Sequence, residues 1–304
     1  MLGIARLADR GPGIAAGIAA TLLMAALWLP IAFSAGSAVA MLFVIVSAAV
    51  VAFVLLRRGE QAALKTIGFC LGLLLLVSLV LYRSAIQVPL VAMVFWLPAI
   101  IAAGILGRST NLGLAVLSIL ASGVVAVLGI SVFSDGDSAF WREPLARSLE
   151  MSVASSDTDL TAQQMETLVE SISNMMTGAL GVSVMSVAMC ALFLARYWQA
   201  ALVNPGGFRK EFHALSLGRH AALACMVVIA VALLQKGPLL SALAMVSVFA
   251  FFIQGLAVVH ALVSERGLGR GWLYGLYVLL LLPHTVLLLA ALGLADSVYR
   301  LRKT

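Results

Sequence analysis

Long apolar runs separated by short polar breaks organise this chain from end to end. Runs of about 18 or more residues, enough for a helix to cross a ~30 Å hydrocarbon layer, lie near 13–34, 37–56, 62–82, 87–106, 111–133, 177–199, 219–235, 239–263 and 271–294. None alternates apolar with polar positions as a lipid-facing barrel strand would, so the runs read as helices whose backbone groups pair within the segment. The pattern predicts an all-α fold, a single integral membrane domain over 1–304 built as a polytopic transmembrane helical bundle of about nine spans. Composition agrees with it. The 304 residues are 63% apolar and 11% charged, against about 45–50% and roughly 25% in soluble domains, so lipid is the solvent for most of the chain.

One stretch breaks the pattern. Residues 134–175 hold Asp135, Asp137, Glu143, Glu150, Asp157, Asp159, Glu166 and Glu170 against only Arg142 and Arg147, a net of −6 that leaves +12 for the rest of a chain whose total is +6. Thr161 and Gln164 have capping-box spacing, and Met165, Leu168, Val169, Ile172 and Met176 recur at helical spacing after them. An amphipathic helix over about 162–176 is expected in this acidic extracytoplasmic loop, on the outer surface and running into the sixth span. The loop has two readings, a solvated connection with an interfacial helix or a lid over an outward-facing cavity. It has too few apolar residues to offset the ordering entropy of a core of its own, so no separate folded domain is expected there.

Charge in the short loops orients the bundle, the cytoplasmic side being richer in Lys and Arg. With the amino terminus inside, that side collects Arg6, Arg10, Arg57, Arg58, Arg108, Arg209, Lys210, Arg219, Arg266 and Arg270, with Arg196 at a helix end, while the outer short loops hold Arg83 and Lys236. Ser156 then faces outward. An odd number of spans sends Arg300, Arg302 and Lys303 outside as well, an exception to the rule that makes the last span, interrupted by Pro283, suspect. The first run is too long for a cleavable signal and is followed at once by a second span, so it reads as a retained hairpin with a turn near Pro30 to Ser37.

Missing motifs narrow the chemistry. No G-x-x-x-x-G-K-[ST], H-E-x-x-H or G-x-S-x-G occurs, which excludes a common ATP-driven pump, a zincin and a serine hydrolase of the usual type. Asp9, Glu60, Glu211, Glu265 and Asp296 are the acids outside the acidic loop, all at span ends or in loops, so a proton relay at the midplane has no residues to run on. Cys70, Cys190 and Cys225 lie in apolar runs without C-x-x-C spacing and read as small core residues. His213, His220 and His260 fall on one side of the membrane, but nothing in their spacing demands a metal. No catalytic residue, metal site or cofactor is expected, and the chain reads as a non-enzyme.

Broken helices near the midplane are how many transporters expose backbone groups to a solute. Pro98 with neighbouring Trp96 in the fourth span, Gln254 in the eighth and Pro283-His284 in the ninth are therefore the candidate solute-binding residues. The ninth span is expected to kink at Pro283, freeing the carbonyl of Leu279, and to turn His284 inward toward Gln254. The competing reading makes Gln254 and His284 interhelical glue.

Two features suit contact with a partner. Gly13, Gly17, Thr21 and Ala25 form a small-residue stripe, with Ala15/Ala19 and Ala16/Ala20 beside it, fit for close packing within the chain or for docking. The segment Asn204-Pro-Gly-Gly-Phe-Arg-Lys-Glu-Phe212 joins a turn to basic and aromatic residues. Its Phe208 and Phe212 are expected to dip into the lipid boundary while Arg209 meets anionic headgroups or a partner.

Several short motifs together resemble the YybS-like family of bacterial membrane proteins: Arg58-Gly59 after the second span, the acidic helical loop after the fifth, Phe208-Arg209 leading to Leu215 and Leu217, Gln254-Gly255-Leu256, and Leu292-Gly-Leu-Ala-Asp296 followed by Arg300-Leu-Arg-Lys303. That family is in turn similar to the S components of energy-coupling factor transporters, whose first helix docks through Ala-x-x-x-Ala, a pattern that Ala15/Ala19 and Ala16/Ala20 match. S components have about six spans. The resemblance, to a family of unknown function, implies a bacterial inner-membrane location; the chain as a whole reads as binding or transporting a small or lipidic solute, with a partner membrane protein or energising module supplying energy. The alternative is a non-transporting structural or assembly factor of the envelope. Membrane lipid is the other expected partner, and nucleic acid is not one.

Overall fold

The computed structural model describes residues 2–32, 36–82, 87–134, 139–154, 161–269 and 271–302. Arg83, Asp135, Asp137, Ser156, Asp157, Asp159, Arg270 and Lys303 lie outside these, as does the middle of the expected Pro30–Ser37 turn. The described residues form thirteen helices: α1 (Leu2–Ala8), α2 (Pro12–Ala32), α3 (Gly36–Arg58), α4 (Glu60–Tyr82), α5 (Gln87–Ser109), α6 (Leu112–Phe133), α7 (Ala139–Ala154), α8 (Ala162–Val203), α9 (Gly207–His213), α10 (Arg219–Leu234), α11 (Pro238–Glu265), α12 (Gly271–Leu279) and α13 (Pro283–Tyr299).

Among the described residues each apolar run carries helix, the last one broken at 280–282, and fewer than the expected nine helices are of full membrane length. Among the described residues six helices are long and apolar enough to cross a membrane, within α3, α4, α5, α6, α8 and α11, and a seventh exists only if α12 and α13 count as one span bent by 117°. The Pro12–Ala26 part of α2 and Arg219–Leu234, which is α10, are shorter apolar stretches of helix. Hydropathy registers an apolar run without its helix ends, and α10, capped at Gly218 and Gln235, is about 24 Å long at 1.5 Å per residue.

Two helices are the hubs of the bundle. α3 is packed by α2, α4, α5 and α8, and from Ala48 to Val54 each side chain is fully buried, as expected of a helix that is apolar all round and enclosed by others. α11 packs on α6, α8, α10 and α13. Outer faces stay apolar where lipid replaces water, as with Phe69, Leu76 and Val80 of α4. Ala15 and Ala19 of α2 are fully buried, and the carbonyl of Ala19 accepts the Ser47 hydroxyl of α3 at 2.8 Å. Ala15 and Ala19, expected to dock a partner, are thus spent on packing within the chain, while Gly13 and Thr21 of the stripe beside them stay exposed.

The two ends of the bundle differ in charge. At one end Asp9 meets Arg57 and Arg58 at 3.6 and 3.4 Å, Glu60 meets Arg108 at 2.5 Å, and Gln199 reaches the Leu56 carbonyl at 2.7 Å. Arg196 of α8 pairs with Glu211 of α9 through an Nε–Oε2 contact of 2.7 Å, so one belt of polar contacts gathers α1, the α3–α4 and α5–α6 turns, and the α8–α10 connection. At the other end stands the acidic segment. Thr161 and Gln164 form the expected capping box, and α8 runs on without a break for 42 residues, about 63 Å, twice the depth of a bilayer core. Its first turns are flanked by α7, a helix the spacing did not announce, tied by the Trp141 indole donating to Thr177 Oγ1 at 2.9 Å and an Arg142–Glu170 pair at 3.8 Å. α7 has no fully buried residue among those described.

The chain reverses after α13. Arg300 adopts a left-handed conformation, φ 50°, and Arg302 folds back to donate to the carbonyls of His213 and Leu215 at 2.5 and 2.7 Å. The tail therefore sits at the basic end beside the α9–α10 connection. Of the two outcomes left by an odd span count, Arg300 and Arg302 tolerated on the opposite face or a last span that does not cross fully, the bend between α12 and α13 favours the second.

Candidate functional site

The α8–α9 turn, with Gly206 at φ 89°, swings α9 back along α8, so that Phe208 and Phe212 pack on Phe193 with ring centroids 5.7 and 5.5 Å away. Phe212 in turn meets the His260 ring of α11 at 5.5 Å, and His260 meets Tyr277 of α12 at 5.9 Å. These rings bound a cavity of about 810 Å³ among α8, α9, α11 and α12, with Phe249, Phe252 and Leu256 continuing its apolar wall. A volume in the range of about 300–1,000 Å³ with mostly apolar walls and a few polar groups is that of a small-molecule site.

The charged and imidazole groups of the cavity lie on α9 and on the basic-end half of α11, with Ser186 of α8 and the hydroxyls of Tyr274 and Tyr277 of α12 as further polar groups. His260 Nδ1 is 2.8 Å from the Leu256 carbonyl, so in the neutral ring it carries the proton and leaves Nε2 to accept from the Tyr277 hydroxyl at 3.1 Å. Arg209 donates one guanidinium N–H to Ser264 Oγ at 3.0 Å. His213 is held below the ordinary imidazole range by burial first, then by the positive charges of Arg209, His260 and Arg302, with Glu265 opposing. α12 forms the outer wall and has no buried residue. The Tyr277–His260 bond ties it to α11.

Of the residues expected to bind solute, none lines this cavity. Gln254 is fully buried, but its amide is consumed. Its oxygen accepts the Leu217 N–H at 2.9 Å and the Ser297 hydroxyl at 3.1 Å, and its nitrogen donates to Asp296 Oδ2 at 2.8 Å. Asp296 also takes Arg302 Nε and the Leu301 N–H on Oδ1, at 3.1 and 3.2 Å. The Asp296 and Arg302 side chains are 3% and 4% exposed, so a buried ion pair exists where span-end acids alone were expected. Their sequence separation, six, is no helical neighbour spacing, and only the reversal at Arg300 brings them together.

Pro283 and His284 are exposed at the start of α13. The break at Pro283 is present and far larger than a kink, yet His284 does not turn toward Gln254. That expectation is corrected, and so is its premise: the Leu279 carbonyl is not left open, because the Thr285 hydroxyl and the Leu282 N–H donate to it at 2.7 and 2.9 Å. Trp96 and Pro98 are buried within α5, and α5 is not a wall of the cavity. By contrast Phe208 and Arg209, expected at the lipid boundary or against a partner, face the cavity. Cys190, expected in the core, is exposed there as well. His213 and His260 border the cavity while His220 does not; no cluster of three metal-ligating side chains occurs among the described residues. Phe193, Phe249, Phe252 and Tyr277 were missed because they are scattered over three apolar runs with no spacing that links them.

A bundle of six or seven membrane-length helices, apolar outside and joined by polar belts at its end, is a multi-pass integral membrane protein. The family model described as predicted membrane protein (DUF2232) matches residues 17–297, and the chain belongs to that family. No curated protein and no solved structure matches it.

Proposed function

We propose that the protein binds a lipidic solute in the cavity between α8, α9, α11 and α12, as a non-enzymatic step in its transfer or presentation, with any energy coming from a partner. The observation that carries this reading is the aromatic wall of Phe193, Phe212, Phe249 and Phe252 ending at Arg209 and His213, which suits a molecule with an apolar body and a polar head. The resemblance to YybS-like proteins and, more distantly, to transporter S components favours solute binding in a bacterial inner membrane. With Ala15 and Ala19 buried, docking in the S-component manner would have to use another surface. The second reading, an assembly factor of the envelope, is favoured by the closed packing around Gln254.

The test is a large side chain in the cavity. Cys190→Trp projects from an exposed position into the space and leaves the core intact. Protein extracted without denaturation is expected to carry an amphiphile, detected by native mass spectrometry, that Cys190→Trp loses by at least tenfold. Equal retention by both proteins would refute the reading.

The proposed orientation, with the basic end cytoplasmic, is tested separately. Arg209→Cys and Arg300→Cys should resist an impermeant thiol reagent on intact cells, in a background without the native cysteines, while Ser148→Cys on α7 should react. Strong labelling of Arg300→Cys with none at Arg209→Cys would separate the tail from the α9–α10 connection and contradict the fold described above.

A further inference from the structure

We infer that the cavity selects an amphiphile with an oxyanion head, a phosphate monoester or a free carboxylate of lipid type, and that Arg209 is the residue that reads the head. This rests on the proposed lipidic solute and deepens it.

Arg209 is the starting point. Its guanidinium offers five N–H donors in a planar fork matched to a phosphate or carboxylate, and its hydrogen bond to Ser264 Oγ is neutral and uses one of them. No carboxylate among the described residues lies within ion-pair distance of it, as none does for Arg6, Arg10, Arg219, Arg266 and Arg300, but of these arginines Arg209 is the one that lines the cavity. Arg302, the cation at the His213 carbonyl, is itself paired with Asp296. The pocket thus presents a cation that is oriented by Ser264 and unpaired.

The apolar side of the same cavity supplies the second half of the recognition. From Arg209 the lining passes to Phe212, Phe252 and Phe249, a surface that an alkyl chain would cover and a free anion would leave bare. Aromatic walls also receive quaternary ammonium heads by cation–π attraction. Here Arg209 stands in the same cavity and repels a cation, so the head is anionic. At the basic end of the bundle the head would lie level with the lipid headgroups, where positive-inside loops also sit.

Purified full-length protein in digitonin micelles can be titrated calorimetrically with dodecyl phosphate, dodecanol, dodecyltrimethylammonium and inorganic phosphate. A charge-assisted hydrogen bond of the usual strength gives dodecyl phosphate a preference of about ten- to hundredfold over dodecanol, with no competition from dodecyltrimethylammonium. Arg209→Gln is expected to erase that preference while leaving dodecanol affinity unchanged, and Cys190→Trp to abolish both. Equal binding of dodecyl phosphate and dodecanol by the native protein, with both lost in Cys190→Trp, would overturn the head assignment and leave the cavity reading standing. Inorganic phosphate binding as tightly as dodecyl phosphate would overturn the lipid source. Loss of dodecanol binding in Arg209→Gln would make Arg209 a support of the cavity wall and overturn its role as reader. Indifference of every probe to Cys190→Trp would remove the cavity reading itself.

Discussion

Arg302→Met, with Asp296 left in place, should cost about 3–5 kcal/mol of folding stability, the usual penalty for stranding one member of a buried ion pair. The size follows from the surroundings. The Asp296 carboxylate is 3% exposed, so without Arg302 it keeps only the Gln254 amide and the Leu301 N–H to replace water. The same change strips the His213 and Leu215 carbonyls of their donor, loosening the connection that carries His213 at the cavity. Asp296→Asn combined with Arg302→Met removes both charges and should recover most of the loss, because paired removal of a buried ion pair is often close to neutral. Unfolding in detergent, followed by near-ultraviolet circular dichroism, measures all three. A loss under about 1 kcal/mol for Arg302→Met would mean that the tail is not docked against the α9–α10 connection.

Gly255→Val should be comparably damaging for a steric reason. α11 and α13 cross with glycine on both sides, where a Cβ on Gly255 would fall on the backbone carbonyl of Leu289 and one on Gly293 on that of Phe251. Backbone cannot rotate away as a side-chain tip can, so the helices must separate, and the Gln254–Asp296 and Gln254–Ser297 bonds separate with them. About 3 kcal/mol is expected, the upper end for an overpacked site. Gly13→Ala and Gly17→Ala are the controls. They sit in a G-x-x-x-G pair yet meet nothing within 4 Å, and each should be neutral or stabilising by up to about 1 kcal/mol, from helix propensity alone. Equal effects at Gly255 and Gly17 would show that α11 and α13 do not touch at this crossing.

That contrast also explains what could be read in advance. The motif G-x-x-x-G describes one helix, whereas a close crossing needs small residues on two, and the partner of Gly255 lies 38 positions away at Gly293. Gln254 was legible as an unusual polar residue in an apolar run. Whether it lined a cavity or closed a network depended on Leu217, Asp296 and Ser297, which only folding places around it. His284 was singled out by the same argument from polarity and failed because the argument assumed one continuous span.

By itself the sequence determined the environment and the class. Apolar runs of membrane length admit only helices in lipid, where each backbone group must pair within its own segment, and those runs, the Thr161 capping box and the division of charge between the two ends follow from composition and local spacing. Tertiary structure alone decided which polar residues meet. The bend of 117° before α13 and the reversal at Arg300 bring Arg302 to Asp296, and the return of α9 along α8 turns Phe208 and Arg209 into a cavity wall. Local pattern fixes an element and its solvent, but a site is built from contacts between elements, whose free energies depend on side chains distant in the chain.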